Sequence, residues 1–465
     1  MNLVLNINEN DTKPLYVQLY EGIKKEITDG RLKAGTKMPS IRKLSKTLNM
    51  SKTTIENTYH QLIIEGYIYS VEKKGYYVKK INHTWLHPVN KKKQKDFYEE
   101  KIDIKYDLTN SYIEEKVFDK NAWRRSIDSI IYNNSNDLLR QGDVQGELSL
   151  RKEIVNYLYQ SRGGIAHQNQ VIVGAGIQPL LQLLSSILKK SGRKKIGFED
   201  PGFNRAKNVF LDSQMDFAPI KIQKEGINID ELKLFNVDVC YISPSHQFPT
   251  GTVMPINKRS DIIHWAQSFD GYIIEDDYNS ELRYHGRPIP SLQGLNKGER
   301  VIYLGSFSTV FLPSIRISYM ILPESLLKVY KGTKELYAQT ASKLEQLAMA
   351  KFIKEGYFEK HIRRIKVHYA KKQEAVNKIL KKIFGDKIYI NDGDTGFNLY
   401  LEIKTHKDEQ FIKKLCKEKS ILVNVLSDYT MDKKITNYPV LILSYKGILL
   451  DELKDALEEI KKICF

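Results

Sequence analysis

The chain is 465 residues long, 41% hydrophobic and 28% charged, with a formal net charge of +17. That length allows two or three domains with separate cores. No apolar run reaches the roughly 18 residues a membrane span needs, and the start, MNLVLNINENDTKP, lacks the basic-then-apolar order of a leader, so a cytoplasmic location is expected. Three scattered cysteines, Cys240, Cys416 and Cys464, argue against a disulfide framework and a zinc-type cluster, and no metal site is expected. The basic balance favours a polyanionic partner, which position along the chain must test.

Residues 1 to 80 hold 14 Lys and Arg against 8 Asp and Glu. In PLYVQLYEGIKKEITDG, Leu15, Leu19, Ile23 and Ile27 recur at helical spacing and Gly30 offers a stop, predicting an amphipathic helix. Ser40 can cap a short helix carrying Ile41, Leu44 and Leu48, and Ser51 can cap a second, KTTIENTYHQLIIEGY. That second helix would bury Ile55, Tyr59, Leu62 and Ile63 and leave Lys52, Thr53, Thr54 and Asn57 on the other face, where short polar and basic side chains suit base edges. YIYSVEKKGYYVKK then alternates around Lys73, Lys74 and Gly75, as a two-stranded wing with a basic tip would. Together these elements predict a winged helix-turn-helix for residues 1 to 80. The stretch MPSIRKLSKTLNMSKTTIENTYHQLIIEGYIYS also resembles the GntR-type DNA-binding domain. The resemblance implies double-stranded DNA as partner, with Pro39, Ser40 and Arg42 opening the helix that touches the phosphate backbone.

Residues 81 to 105 carry Pro88, the basic run Lys91 to Lys95 and no sustained period, and are read as a linker. Beyond them, β-rich runs at 171, 195, 237, 272, 301 and 317 alternate with helical stretches, which predicts an α/β domain with a mainly parallel sheet flanked by helices. A long helical region spans about 323 to 383. FNLYLEI, ILVNVL and VLILSY with helices near 407 and 451 then make a small C-terminal α+β subdomain, about 385 to 465.

Ligands of open α/β sheets lie beyond the C-terminal strand ends, and several such places carry polar residues. VIVGAGIQPLLQLL sets Gly174-Ala175-Gly176 between strand and helix, a place for a phosphate, although tight packing explains it equally well. YIIEDDYNSE ends in Glu275-Asp276-Asp277-Tyr278, able to hold a protonated ring nitrogen, to bind a metal or simply to form a polar turn. EDPGFNRA offers Phe203 as a stacking face and Arg205 as a carboxylate partner. YISPSHQFPTG carries Ser243, His246 and Gln247, and a lone histidine there is more often structural. In GSFSTVFLPSIRISYM, Ser306, Ser308 and Arg316 could hold a phosphate.

In family order and spacing, SPSHQFPTGTVMPI, IIEDDYNSE and GSFSTVFLPSIRISYMILP make residues 106 to 465 resemble a fold-type I aminotransferase domain. With its front end, the chain resembles a MocR/GabR-type transcription regulator. The resemblance implies a homodimer and pyridoxal phosphate: Asp276 on the pyridine nitrogen, Tyr278 on the ring hydroxyl and Phe203 stacked on the ring. Gly176, Ser306, Ser308 and Arg316 would lie around the phosphate, and Arg205 would face the carboxylate of a small-molecule effector, an amine, amino acid or B6 vitamer.

Two departures stand out. The family's SFSK motif supplies the Schiff-base lysine, and here the fourth residue is Thr309, which can neither form an imine nor shuttle protons as an amine. The family's C-terminal arginine falls on Gly447; Lys446 is its neighbour, but strand alternation would turn that side chain to the other face. The expected protein is a regulator with a catalytically silent sensor domain that holds pyridoxal phosphate, if at all, only noncovalently, with no catalytic residue. Two other readings stand beside it: a cofactor-free dimerisation scaffold, and an active aminotransferase, which Thr309 opposes.

Overall fold

The computed structural model describes residues 12–81, 103–109, 112–284, 286, 288–391, 396–431 and 436–465. The chain divides into two compact units, 1–101 and 102–465. Most of the expected linker, including Pro88 and Lys91 to Lys95, lies outside the described residues.

In the first unit, α1 (Leu15–Thr28) buries Leu19, Ile23 and Ile27 at the predicted spacing. Helix α2 (Ile41–Leu48) is capped by Ser40, whose hydroxyl accepts from Lys43 N, and ends at Asn49 in the left-handed region, φ 52°. Ser51 caps α3 (Lys52–Ile64) by accepting from Thr54 N at 3.1 Å. Ile55, Tyr59 and Leu62 enter the core and Ile63 is half-buried, while the Tyr59 hydroxyl donates to Pro39 O at 2.9 Å and so fixes α3 against the start of α2. Strands β1 (Ile68–Val71) and β2 (Gly75–Val78) pair antiparallel, joined by a turn in which Lys73 has φ 59° and Gly75 φ 104°. This is the predicted winged helix-turn-helix.

The second unit opens with β3 (Tyr106–Asp107) and is built on an eight-stranded sheet. Its strands are β4 (Val171–Gly174), β5 (Lys195–Asp200), β6 (Asp216–Gln223), β7 (Gly226–Ile227), β8 (Val239–Ile242), β9 (Tyr272–Asp276), β10 (Val301–Ser306) and β11 (Ser318–Ile321), in the order β4-β11-β10-β9-β8-β5-β6-β7. Strand β11 runs antiparallel to both β10 and β4, and β7 antiparallel to β6; the other pairs are parallel. All six β-rich runs read from the sequence are strands; the edge pair β6 and β7 is additional. Strands β8 and β9 are buried at every position, as a sheet covered on both faces requires.

The helical stretch after β11 resolves into Glu324–Lys331, Lys343–Lys354 and the 28-residue Tyr357–Phe384. The C-terminal part adds β12 (Ile388–Asn391), β13 (Asn398–Ile403), β14 (Ile421–Leu422), β15 (Asn424–Val425) and β16 (Val440–Ser444). Strands β12-β13-β16-β15 form one antiparallel sheet, and β14 pairs with β3, so the first strand of this unit is bound to its C-terminal part. Among the described residues no helix is long and apolar enough to cross a membrane, and no cluster of His, Cys, Asp and Glu could hold a metal ion.

Two substitutions test this packing. Ser51→Ala should destabilise the first unit by about 1 kcal/mol through loss of the cap on α3, read as faster amide exchange in residues 52–55. Arg162, whose guanidinium meets Asp277 Oδ1 at 2.9 Å with both side chains buried, is the harsher case. Arg162→Met should cost about 3–5 kcal/mol in denaturant unfolding, because it strands the Asp277 charge in the interior.

Candidate ligand pocket and DNA-binding face

The candidate site begins where β9 runs out of apolar residues. Glu275, Asp276 and Asp277 are all buried, at 0%, 8% and 7% exposure, so each carboxylate needs its own partners. Glu275 accepts from Leu292 N and Gln293 N at 2.9 Å each, capping the turn Leu292–Leu295. Asp277 takes Arg162, the Ser280 hydroxyl at 2.7 Å and the Tyr303 hydroxyl. Asp276 accepts from the Tyr241 hydroxyl on β8, and burial pushes its carboxyl up to about 6. The structure thus divides the three acids: the outer two brace the scaffold, and Asp276 keeps acceptor capacity for something else.

Aromatic side chains gather beside it. The Tyr278 ring packs against His246, centroids 6.1 Å apart, and edge-on against Phe248 at 6.0 Å; Phe248 in turn meets Phe203 at 6.2 Å and Tyr429 at 4.9 Å. Asn398, at the start of β13, lies 3.5 Å from the Tyr278 hydroxyl, so the C-terminal subdomain forms one wall. Burial depresses His246 to about 4, leaving the imidazole neutral, and a Cβ on Gly396 would come within 2.7 Å of it; this is a packed histidine. Gln247 is structural as well, donating to Pro201 O at 2.7 Å and Phe248 O at 2.6 Å while accepting from Thr250. The Ser243 amide donates to Glu199, whose carboxyl burial pushes up to about 8. Arg205 is exposed on the helix Asn204–Asp212. Burial raises the Tyr429 hydroxyl to about 12, against a lowering pull from Arg205.

Strand β10 delivers the opening turn of the phosphate-like corner. Ser306 accepts from the Ser318 hydroxyl at 2.8 Å, whereas the Ser308 hydroxyl is buried without any hydrogen-bond partner. Arg316, at φ 50°, is exposed, with no hydrogen bond or ion pair to its guanidinium among the described residues. Gly176, φ 102°, begins the helix Ile177–Lys190, and a Cβ there would come within 2.2 Å of the Arg316 guanidinium. That helix has no side-chain cap, so its first N–H groups remain available to an anion. A guanidinium without a partner beside an uncapped helix start, and an orphaned hydroxyl on the turn after β10, are donors of the kind a phosphate takes.

Thr309 sits half-buried in the short turn Phe307–Val310 beside this corner. Its carbonyl accepts from Lys446 Nζ at 2.6 Å. Strand alternation was expected to turn Lys446 away, but β16 ends at Ser444, so the rule no longer applies two residues later. Gly447 faces the Tyr112 ring, which a Cβ would meet at 2.6 Å. Sequence reasoning missed Tyr241, Phe248, Tyr429 and Asn398; only Asn398, a polar residue opening an apolar strand, carried a readable signal.

In the other unit, Arg42, Lys52, Thr53 and Asn57 are exposed on α2 and α3, and Lys73 and Lys74 are exposed on the wing. Thr54 is half-buried, its hydroxyl 2.8 Å from that of Ser51, so these two groups, like Ser40, spend part of their bonding capacity on caps.

Comparison with known proteins agrees with both halves. Residues 15–78 match the family "Bacterial regulatory proteins, gntR family", and residues 109–436 match "Aminotransferase class I and II". The chain is 36% identical over 99% of both chains to the HTH-type transcriptional regulator YdeL of Bacillus subtilis. It is 30% identical to the probable rhizopine catabolism regulatory protein MocR of Rhizobium meliloti, over 85% of this chain and 83% of that one. Among solved structures, the kynurenine aminotransferase of Pyrococcus horikoshii superposes with a TM-score of 0.69 at 21% identity, covering 78% of this chain and 91% of that one, a likeness of fold alone. A GntR helix-turn-helix joined to an aminotransferase fold, with a full-length regulator as relative, places this chain in the MocR-type transcription regulators of the GntR family.

Proposed function

We propose that this DNA-binding regulator uses its aminotransferase-like unit as a catalytically silent sensor that holds pyridoxal phosphate, or a related B6-type ligand, noncovalently. The carrying observation is the corner in which the Ser308 hydroxyl and the Arg316 guanidinium stand without partners beside a turn whose residue 309 has no amine. When bound, pyridoxal phosphate supplies an electron-withdrawing ring and an aldehyde. Asp276 would hold the ring nitrogen, Tyr278 the ring hydroxyl and Phe203 a ring face. Gly176, Ser306, Ser308 and Arg316 would hold the phosphate, and Arg205 would meet the carboxylate of an effector. Thr309 offers no nitrogen to bond the aldehyde and no base to move a proton, so binding would be a signal without turnover.

On the other unit, Arg42 and the wing residues Lys73 and Lys74 would neutralise phosphates, while Lys52, Thr53, Thr54 and Asn57 would face base edges, with Ser40 and Ser51 orienting the helix starts. A homodimer would set two such faces on two half-sites.

Arg42→Ala and Lys74→Ala should each weaken binding to every DNA sequence and lower the slope of log affinity against log salt by about one. Unchanged slopes in both would reject this docking. Arg316→Ala should reduce pyridoxal phosphate affinity by about tenfold or more while leaving the affinity for pyridoxal, which has no phosphate, nearly unaltered. Thr309→Lys should yield a borohydride-stable adduct on residue 309, identified by peptide mass, since placement is most of what that bond requires. If neither wild type nor Thr309→Lys binds the cofactor, the unit is a scaffold and not a sensor.

A further inference from the structure

Lys446 is a buried lysine without a counter-charge among the described residues. Its side chain is fully buried, its Nζ donates to Thr309 O and lies 4.5 Å from the centre of the Phe397 ring, and burial lowers it to about 7. No carboxylate pairs with it among the described residues. The reason the Thr309 carbonyl needs an outside donor is in the sequence: four residues on, where a helical N–H would come, stands Pro313. Lys446 therefore supplies the bond that the turn Phe307–Val310 cannot supply for itself.

The backbone of Lys446 is held just as firmly from the other side. Its carbonyl accepts from the Tyr369 hydroxyl at 3.1 Å and from Lys372 Nζ at 3.3 Å. Lys372 continues to Glu114 Oε1 at 2.5 Å and Ile448 O at 2.6 Å, and Glu114 N donates to Tyr369 at 3.3 Å. Two residues before Lys446, Ser444 N donates to Leu108 O at 2.6 Å, and Leu108 N donates to Leu422 O at 3.0 Å. Leu108 and Glu114 belong to the first described residues of the second unit, 103–109 and 112–114, so one side chain stands between the turn at Thr309 and the stretch where the chain enters that unit.

We propose that Lys446 is a positioning residue that couples the turn carrying Ser308 and Thr309 to Leu108 and Glu114 at the entry of the second unit, so that a ligand in the pocket alters the stability of β3. The inference rests on the pocket reading above and deepens it with a route: a ligand that engages Ser308 fixes the turn, the turn fixes Lys446, and the 444–448 segment fixes Leu108 and Glu114. A buried amine that merely filled space would have no such dependence. Coupling of this kind is established by a change in equilibrium at both ends, not by proximity.

Amide exchange of the full chain with and without pyridoxal phosphate tests it. In the wild type, exchange should slow by about threefold or more both in residues 306–316 and in residues 104–109. In Lys446→Met the 306–316 response should persist while the 104–109 response disappears, and Lys446→Arg should restore it. Tyr369→Phe, a smaller change that removes one hydroxyl, should at least halve the 104–109 response should Lys446→Met fail to fold. A wild type that responds at 306–316 but not at 104–109 overturns the coupling, as does an equal 104–109 response in Lys446→Met or, if that variant does not fold, in Tyr369→Phe. No response at 306–316 in the wild type overturns the pocket reading first, and the coupling with it.

Discussion

Three consecutive carboxylates at the buried end of β9 are the constraint around which the second unit is arranged. Left without partners, each would carry a desolvation penalty of several kcal/mol, enough to rival the net stability of a domain. The fold answers by bringing distant elements to them: a helix-terminal arginine, a strand tyrosine and a two-residue backbone cap. Because Glu275 and Asp277 are consumed by that bracing, Asp276 is left at the pocket edge with one hydroxyl donor and room to accept another. The spare acceptor capacity of Asp276 is thus a by-product of how its two neighbours are satisfied.

Much of this was legible in the chain. Strands β4, β5, β9 and β10 end where apolar runs give way to Gly, Asp or Ser. The first unit was readable almost residue by residue, since its helices are short, amphipathic and capped by Ser40 and Ser51. What stayed hidden depends on contacts distant in sequence. Arg162 reads as an ordinary basic residue in the last turn of a helix, because its partner Asp277 lies 115 positions away. Tyr241 looks like one more apolar residue of a buried strand. Lys446 was misplaced by an alternation rule that holds only inside a strand, and β16 stops two residues earlier.

A fold shared with aminotransferases does not by itself carry their chemistry. Among the described residues Ser308 and Arg316 offer donors without partners and Asp276 an acceptor, while residue 309 is a threonine whose carbonyl, not side chain, is the bonded group. Binding groups and a reacting group are separable: the former need only position and charge, the latter a specific nitrogen. Lys446, whose amine burial lowers to about 7, supplies a bond to the backbone of the turn.

Calorimetric titration of the wild-type chain with pyridoxal phosphate and pyridoxamine phosphate tests most directly the proposal that the second unit recognises a B6-type phosphate without bonding to it. The two differ at the carbon that a lysine would attack, and share ring and phosphate. Noncovalent recognition predicts affinities within about tenfold of each other, a difference of about 1.4 kcal/mol. Failure of both to bind, or an aldehyde preference beyond about a hundredfold, would contradict the account.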